Sequence, residues 1–587
     1  MGATKAKVES RNKTFKTASR TKTRALDSTT QRFLDLDPDK LRGGYYTSEP
    51  IAKWLTEWAI RSSGDQVLEP SSGDGMFIEQ AALRLMDLGS DAQGVLSQLH
   101  AVEINDVEAK KVSSRLAKVL NRPVNGTVKS GDFFSHWPSL KPKQFDCVIG
   151  NPPFIRYQTF PKPSRDLAMS IMEGVGLKPN KLTNIWVPFV VAAMECLRPG
   201  GRMAMVLPAE LLQVNYASQL RSFLADRFDR IDIVACNDLI FEGAEQEVLL
   251  LLADGALKEP NPKNTCRVSL TAMQDAQSIL KKKPDQLLKK SSAKKVCHDS
   301  EKWLKYFLSN REITFMRKLR ESEEITSLST YASVEVGVVT GKNEFFVVDR
   351  NQVEEYGLHD HILPLVGRSN QLKGAVLSKK EWNQLSDNNE RVHLFTVNPE
   401  YAKSLSPKVR QYIEYGESKK FHTGYKCSIR DPWYTVPSLW VPEAFFFRQI
   451  YDFPRVVLNS AKGTSTDTIH RMRCNVPAKK LLGCLYTHLT AASAEIEGRS
   501  YGGGVLELEP NEARKLLIPV ELDGALSISE CDSLIRQGKL QSILEENDKR
   551  VLIDKVGLSK NECVMLKRIW EKMRDRRMSR KKSKKKR

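Results

Sequence analysis

The segment DCVIGNPPFIRY, residues 146–157, places an amide, two prolines and an aromatic ring directly after an apolar run. Residues 146–149 predict a buried strand, and the prolines end it because they supply no N–H donor and fix φ. The side-chain oxygen of Asn151 and the backbone carbonyl of Pro152 could each accept a hydrogen bond from one N–H of an exocyclic aromatic amine. Such an amine is a weak nucleophile because its lone pair is delocalised, and two preorganised acceptors would free that lone pair. Phe154 would then stack on the base.

Strand-like and helix-like segments alternate on both sides of this motif, between about residues 41 and 254. Strands alternating with helices predict a doubly wound α/β sheet, in which ligands bind at the carboxyl ends of the strands. The predicted strands lie at 66–69, 99–104, 145–149, 203–207, 231–234 and 247–252. The Asn-Pro-Pro-Phe tetrapeptide therefore falls at a strand end, where a ligand site is expected.

Two acidic residues follow earlier strands of the same sheet. In HAVEIN, Glu103 ends the second strand, where a carboxylate can accept hydrogen bonds from ribose hydroxyls. In GDFF, Asp132 could accept from an adenine amino group while Phe133 covers the face of the ring. The turn VLEPSSGDG, residues 67–75, has glycines that permit positive φ, although it lacks the G-x-G-x-x-G pattern and a purely structural turn is the alternative. Together these segments predict an adenosine pocket without a phosphate-binding glycine loop.

Composition limits the class of protein. The chain has 587 residues, enough for about three domains, and 41% of them are hydrophobic. It contains no run of about 18 apolar residues, and its N-terminal segment lacks an apolar core, so we expect neither a membrane span nor a secretory signal. The ten cysteines include no C-x-x-C pair, which favours reduced thiols over disulfides or a zinc site. We therefore expect no metal.

The formal charge of +20 is concentrated at the two ends of the chain. Residues 1–25 contribute +7 and residues 574–587 contribute +9, so the body between them is only mildly basic. Two solvated, disordered tails are one interpretation. Nonspecific attraction to a polyanion is the other, and it predicts that removal of residues 574–587 lowers the salt dependence of binding.

These ordered motifs closely resemble those of the gamma-class adenine-N6 DNA methyltransferases of restriction–modification systems, over roughly residues 41–520. The resemblance implies a Rossmann-like class I methyltransferase domain followed by a mixed α+β target-recognition domain. It also implies S-adenosyl-L-methionine as cofactor and double-stranded DNA as partner, and it adds the segment GGYYTSEP, residues 43–50, ahead of the first strand. The cofactor-binding residues that it implies are Thr47, Glu69, Pro70, Gly73, Gly75, Glu103, Ile104, Asp132 and Phe133.

The same resemblance makes the proline-containing tetrapeptide the catalytic motif. The looser match LIFEG, residues 239–243, implies that Phe241 stacks with Phe154 on an adenine flipped out of the duplex. Asparagine rather than serine before the prolines favours adenine N6 over cytosine N4, and the chain has no Pro-Cys pair for cytosine C5 chemistry. Methylation of RNA adenine or of a protein glutamine amide, and a DNA-binding relative without catalysis, stay open as alternatives. The implied catalytic residues are Asn151, Pro152, Pro153 and Phe154.

Domain boundaries follow from the motifs and from changes in composition. Two motifs typical of a recognition domain are VEVGVVTGKNEFFVV, residues 334–348, and GRSYGGGVLELEP, residues 498–510. Since only about 40 residues precede the cofactor domain, we expect no nuclease activity in this chain, and a separate cognate endonuclease stays open as a partner in a prokaryotic cytoplasm. The predicted parts are a basic, disordered arm (1–40), a catalytic domain (41–258), a lysine-rich linker and helix (259–319), a target-recognition domain (320–525) and a helical region ending in a basic tail (526–587).

Overall fold

The computed structural model describes residues 47–236, 247–262, 266–289, 293–294, 301–402, 404–501 and 503–583. The predicted basic arm, residues 43–46 and Phe241 lie outside the described residues. Two units follow one another along the described chain. We call residues 47–289 the N-terminal unit and residues 301–583 the C-terminal unit.

An eight-stranded sheet forms the centre of the N-terminal unit. Its strands are β1 (Val67–Glu69), β2 (Leu99–Glu103), β3 (Val128–Ser130), β4 (Phe145–Gly150), β5 (Leu197–Pro208), β6 (Phe228–Cys236), β7 (Val248–Ala256) and β8 (Arg267–Met273). They lie in the order β3-β2-β1-β4-β5-β7-β6-β8. Strand β7 is antiparallel to both of its neighbours, and the other pairs are parallel. This sheet confirms the predicted doubly wound α/β fold.

Helices cover both faces of this sheet. One face carries α1 (Glu49–Ala59), α2 (Met76–Asp87), α3 (Ala92–Gln98) and α4 (Asp106–Leu120). The other face carries α5 (Phe133–Leu140), α6 (Lys162–Gly174), α7 (Trp186–Met194) and α8 (Ser218–Ala225). Because both faces are covered, β4 is buried along its whole length. Its last residue, Gly150, pairs with Met205 of β5, so the chain leaves the sheet at Asn151.

Residues 267–273 extend this sheet, although the sequence predicts a linker there. Strand β8 pairs in parallel with β6 from Arg267 to Met273, and α9 (Ala276–Leu280) and α10 (Pro284–Lys289) follow it. The predicted linker over 259–319 therefore needs correction. The physical reason is that the outer edge of β6 offers unpaired backbone groups, which β8 satisfies.

The C-terminal unit contains four smaller sheets. Its strands are β9 (Ile325–Ser327), β10 (Ala332–Glu335), β11 (Val347–Val348), β12 (Ile362–Val366), β13 (Val376–Leu377), β14 (His393–Phe395), β15 (Ala444–Phe447), β16 (Gln449–Ile450), β17 (Val456–Asn459), β18 (Thr464–Ser465), β19 (Ile469–Cys474), β20 (Arg499–Tyr501), β21 (Val505–Glu507) and β22 (Leu517–Pro519). The sheet orders are β10-β19-β15-β17-β13, β11-β14-β12-β18, β16-β21-β20 and β22-β9.

Eleven helices of up to twelve residues and one much longer helix accompany these sheets in the described C-terminal unit. They are α11 (Asn310–Glu321), α12 (Asn343–Phe346), α13 (Arg350–Tyr356), α14 (Lys379–Asp387), α15 (Pro407–Ser418), α16 (Tyr425–Ser428), α17 (Ala478–Leu485), α18 (His488–Glu497), α19 (Pro510–Ala513), α20 (Ile528–Arg536), α21 (Leu540–Asn547) and α22 (Lys560–Ser583). The mixture of short strands and helices confirms the predicted α+β character of this half.

The long helix α22 corrects the predicted C-terminal tail. A capping box starts it, because Ser559 N donates to Glu562 at 2.8 Å and Glu562 N donates back to the Ser559 hydroxyl at 3.3 Å. The helix then packs along α18, and Arg577 is only 1% exposed. Residues 574–583 are therefore not a disordered tail, because carboxylates of the folded body pair with Arg576 and Arg577.

Candidate active site

A cavity of about 360 Å³ opens at the carboxyl ends of β1, β2, β3 and β4. Parallel strands end at one edge of the sheet, so the segments that follow them meet there. Among the described residues of the predicted site, Gly75, Pro152 and Phe154 are not part of the cavity lining. The predicted residues that do line it are Thr47, Glu69, Pro70, Gly73, Glu103, Ile104, Asp132, Phe133, Asn151 and Pro153.

Backbone amides fix the carboxylate of Glu103 in the lining of this cavity. Gly73 N donates to one of its oxygens at 2.8 Å, and Asn105 N donates to the other at 3.0 Å. The first of these donors lies in the turn after β1 and the second follows β2. The side chain is thus oriented from two sides, and its carboxylate lines the cavity as an acceptor suited to a ligand hydroxyl.

Asp132 has a structural role that its sequence position did not suggest. Its carboxylate caps α5, accepting from Phe134 N at 3.4 Å and from Ser135 N at 3.3 Å. The Ser135 hydroxyl donates to it as well, at 3.0 Å. An ionised carboxylate has about four acceptor sites, so one remains for a ligand amino group.

Acidic side chains, and no basic ones, line the described part of the cavity. The buried Glu69 carboxyl has its pKa raised well above 4.5, chiefly by desolvation and also by repulsion from Asp74 and Glu103. Among the described residues that line the cavity, none is lysine, arginine or histidine. The site therefore favours a cationic ligand over one that carries phosphates. The acidic lining residues are Glu69, Asp74, Glu103, Glu108 and Asp132.

Gly75 shapes the cavity from behind instead of lining it. Its φ is +83°, and a Cβ atom there would lie 2.9 Å from a methyl group of Val112 on α4. Any other residue would be strained in this backbone conformation and would push α4 away from α2. The glycine thus lets the turn after β1 close tightly before α2 begins.

The catalytic motif predicted from the sequence divides between the cavity and the core. The Nδ2 atom of Asn151 donates to the Thr47 hydroxyl at 3.3 Å, and the Ser71 hydroxyl donates to the Asn151 carbonyl at 3.3 Å. Pro152 is buried, and Phe154 is half-buried against the apolar cores on both faces of the sheet. Asn151 is thereby oriented by contacts from two other segments.

The cavity lining also contains residues that the sequence patterns do not mark as part of a site. Phe189 of α7 stacks on Phe133, with ring centroids 5.4 Å apart and ring planes 17° apart. Phe160 and Pro161, beyond the catalytic motif, close another side of the cavity. In sequence, residues 185–197 form an almost wholly apolar run, and no local signal distinguishes Phe189 from its neighbours.

Two family models match the chain. The one described as Eco57I restriction-modification methylase matches residues 78–241, which include Glu103, Asp132 and Asn151. The one described as the C-terminal domain of Type II methyltransferase M.Eco57I matches residues 300–552. Both halves of the chain are therefore similar to parts of restriction–modification methyltransferases. The resemblance to restriction–modification methyltransferases is thus confirmed.

Relatives of this methylase match along most of its length. It is 22% identical over 562 residues to Type II methyltransferase M.AccI of Acinetobacter calcoaceticus, covering 92% of this chain and 98% of that protein. It is 25% identical over 380 residues to Type II methyltransferase M.BstVI of Geobacillus stearothermophilus, covering 58% of this chain and 65% of that protein. Its fold is similar to that of the Type IIL restriction-modification enzyme MmeI in complex with DNA, with a TM-score of 0.56, 12% identity, and coverage of 92% of this chain and 80% of that one.

The described residues hold neither a membrane-crossing helix nor a cluster of metal ligands. None of the described helices is both long and apolar enough to cross a membrane. Within the same residues, no three His, Cys, Asp or Glu side chains are grouped so that they could hold a metal ion.

Proposed function

We propose that this methylase transfers a methyl group from S-adenosyl-L-methionine to the exocyclic N6 of an adenine flipped out of duplex DNA. One observation carries the proposal. Asn151, directly after β4, lines the same cavity as Glu103, the last residue of β2, and Asp132, which follows β3. A pocket suited to adenosine and a side chain suited to an aromatic amine are therefore contiguous.

The chemistry of the cavity lining fits S-adenosylmethionine. Five acidic side chains line the cavity, and in the described part of the chain no lysine, arginine or histidine lines it. This lining suits a ligand that carries sulfonium and ammonium charges. Glu103 would accept from the ribose hydroxyls, and Asp132 would accept from the adenine amino group. Thr47 and Glu69 would lie at the methionine end. When bound, this cofactor supplies an electrophilic methyl group on a positively charged sulfur.

Asn151 and Pro152 would act on the target nitrogen. The Asn151 side-chain oxygen and the Pro152 carbonyl would each accept from one N–H of the amine and favour a more tetrahedral nitrogen. The rings of Pro152 and Pro153 fix φ and so would help to hold this carbonyl in place. Phe154 would stack on the base, and Phe241, outside the described residues, would be its second stacking partner. Orientation of the amine toward the methyl group supplies most of the remaining reduction in barrier.

The proposal extends to the division of labour along the chain. Residues 41–258 would bind the cofactor and perform the transfer, and residues 320–525 would read the DNA sequence. The match of residues 300–552 to the C-terminal domain of a Type II methyltransferase supports DNA as the substrate in preference to RNA or a protein amide. A separate cognate endonuclease and a location beside prokaryotic cytoplasmic DNA belong to the same proposal.

Methyl transfer to unmethylated plasmid DNA, followed by single-molecule sequencing for modified bases, tests this function. We expect N6-methyladenine at one recurrent sequence. Modified cytosine in its place would overturn the choice of base. Labelled RNA or labelled protein glutamine, with unmodified DNA, would overturn the choice of polymer.

A further inference from the structure

The motif GRSYGGGVLELEP, residues 498–510, lies at a junction between the two units. Its Ser500 N donates to the Gln213 side-chain oxygen at 2.8 Å, and Gln213 Nε2 donates to the Ser500 carbonyl at 2.8 Å. Both residues are buried and are 287 positions apart in the chain. A primary amide here pairs with a peptide group as a neighbouring strand would, and the pairing joins β20 to the N-terminal unit.

Gln213 stands close to the catalytic edge of the large sheet. Strand β5 lies next to β4, and its last residue, Pro208, is followed by a single 3₁₀ turn, Ala209–Leu212, which leads directly to Gln213. The neighbouring strand β4 leads directly to Asn151. The pairing with Ser500 therefore holds the C-terminal unit against the edge from which the candidate catalytic amide extends.

The middle of the same motif, at Gly504, is fixed to helix α22. Gly504 has a φ of +78°, and a Cβ atom there would lie 3.3 Å from the Arg577 carbonyl oxygen. The Arg577 guanidinium donates to the Gly504 carbonyl. Any other side chain would be strained at this φ and would crowd the helix backbone, so glycine suits this close approach.

Helix α22 in turn reaches the catalytic edge. Arg576 pairs with Glu247 at 3.1 Å, and the Glu247 carbonyl accepts from Ala209 N at 2.9 Å. Because β7 is antiparallel, its first residues lie at the carboxyl edge of the parallel strands. The motif thus lies between Gln213 and helix α22. Both of these are close to the edge of the large sheet from which Asn151 extends.

We propose that Gln213 is a positioning residue that holds the C-terminal unit in register with the catalytic pocket, so that methyl transfer to DNA depends on its pairing with Ser500. This inference rests on the proposed function. A duplex held by the C-terminal unit must deliver its target base to Asn151. A displacement of about 1 Å between the two units can reduce a transfer rate on the order of 10²-fold.

The chain offers a matched control in Gln219. Its side chain makes the same reciprocal pairing with Lys178, accepting from Lys178 N at 2.7 Å and donating to the Lys178 carbonyl at 3.0 Å. Both of these residues belong to the N-terminal unit, so their pairing does not join the two units. Substitution of Gln219 therefore removes a glutamine–peptide pairing without disturbing the junction, whereas substitution of Gln213 removes both.

Single-turnover transfer of labelled methyl groups to plasmid DNA tests the inference in the full-length chain. For Gln213→Ala we expect a rate lowered on the order of 10²-fold, with unchanged affinity for S-adenosylmethionine. Gln219→Ala should keep the wild-type rate. Gln213→Glu should recover activity as pH falls, because only the protonated carboxyl both donates to the Ser500 carbonyl and accepts from its N–H.

The outcomes separate the inference from the proposed function. A Gln213→Ala variant that transfers at the wild-type rate overturns the inference alone. Loss of cofactor binding in Gln213→Ala also overturns it, since the residue would then support the N-terminal unit itself. A Gln213→Glu rate that falls with acid as steeply as the wild-type rate argues against the pairing. A wild-type chain that leaves every base of the plasmid unmodified overturns the proposed function, and the inference with it.

Discussion

Arg577 and Glu495 form an ion pair buried between α22 and α18. The Arg577 Nε donates to the Glu495 carboxylate at 3.1 Å, and the two residues are 1% and 3% exposed. Helix α22, residues 560–583, lies beyond the end of both family models, the later of which ends at residue 552. The charge of residues 574–583 is typical of a solvated tail, but this segment packs into the core of the C-terminal unit.

Breaking this pair should destabilise the protein strongly. Arg577→Ala leaves Glu495 buried without its cation, so we expect the free energy of unfolding to fall by about 3–5 kcal/mol. Urea unfolding measures the change. Arg550→Ala removes an exposed pair with Glu546 one helical turn away and should leave the free energy of unfolding almost unchanged. Equal effects of the two variants would contradict the buried role of Arg577.

Two truncations should behave differently. Removal of residues 584–587 takes away four basic residues beyond the described helix, and we expect weaker salt dependence of DNA binding with unchanged unfolding. Removal of residues 574–587 also deletes Arg576 and Arg577 and should lower the unfolding midpoint. Salt-dependent binding and urea unfolding of both variants check this. Removal of residues 574–587 therefore changes both the charge and the fold, so it cannot by itself measure what the basic end contributes to DNA binding. The prediction that this truncation changes only the salt dependence needs correction for that reason.

A basic and aromatic surface of the C-terminal unit should contribute to the salt dependence. In the described part of the chain, no carboxylate pairs with Lys419, Lys420 or Lys426, and the neighbouring Tyr425 is 73% exposed. Lys426→Gln should lower the slope of log affinity against log salt by about 0.9 if one phosphate contact is lost. The methylated sequence should not change.

Lys480 provides the control for that measurement. It is exposed and pairs with Asp523 at 2.7 Å, so Lys480→Gln changes the net charge by the same amount. We expect its salt slope to equal that of the wild type. Equal decreases in Lys480→Gln and Lys426→Gln would show that net charge, and not this surface, sets the slope.

The pH dependence of cofactor affinity should report on Glu69. Its raised pKa means that the ligand-free folded state holds a proton there that the unfolded state loses near pH 4.5. This group therefore stabilises the fold fully below that pH and loses its contribution as pH rises through the raised folded pKa. A cationic ligand favours the carboxylate, so affinity should rise with pH over the same range.

Calorimetric titration of S-adenosylmethionine from pH 5 upward tests this dependence. We expect proton release on binding by the wild type and a flatter pH profile in Glu69→Gln, with lower affinity at the alkaline end. Identical profiles would mean that Glu69 does not exchange a proton when the ligand binds. Comparison of the two proteins removes the titration of the ligand itself.

Asn151→Ala should remove methyl transfer while both ligands still bind. We expect a rate lowered by at least about 10²-fold, because one of two preorganised acceptors is lost. The substitution also removes the 3.3 Å contact with Thr47, so cofactor affinity must be measured alongside. Large loss of cofactor affinity would show that the amide serves the cofactor and not the target amine.

Local patterns determined much of the candidate site. The apolar run of β4 followed by two prolines fixes where the chain must leave the sheet, because proline removes ladder donors. Glu103 and Asp132 follow short strands whose apolar residues and neighbouring turns can be read along the sequence. Parallel strands end at one edge, so these residues had to converge.

Only the tertiary structure decided which distant residues complete the site and the junction. Phe189 faces Phe133 because α7 packs over the sheet, and the apolar residues of α7 all read alike in sequence. Arg577 is buried because α18 supplies Glu495, a partner 82 positions away. Contacts over such separations depend on how whole elements pack, and the residues near each position in the chain do not encode that packing.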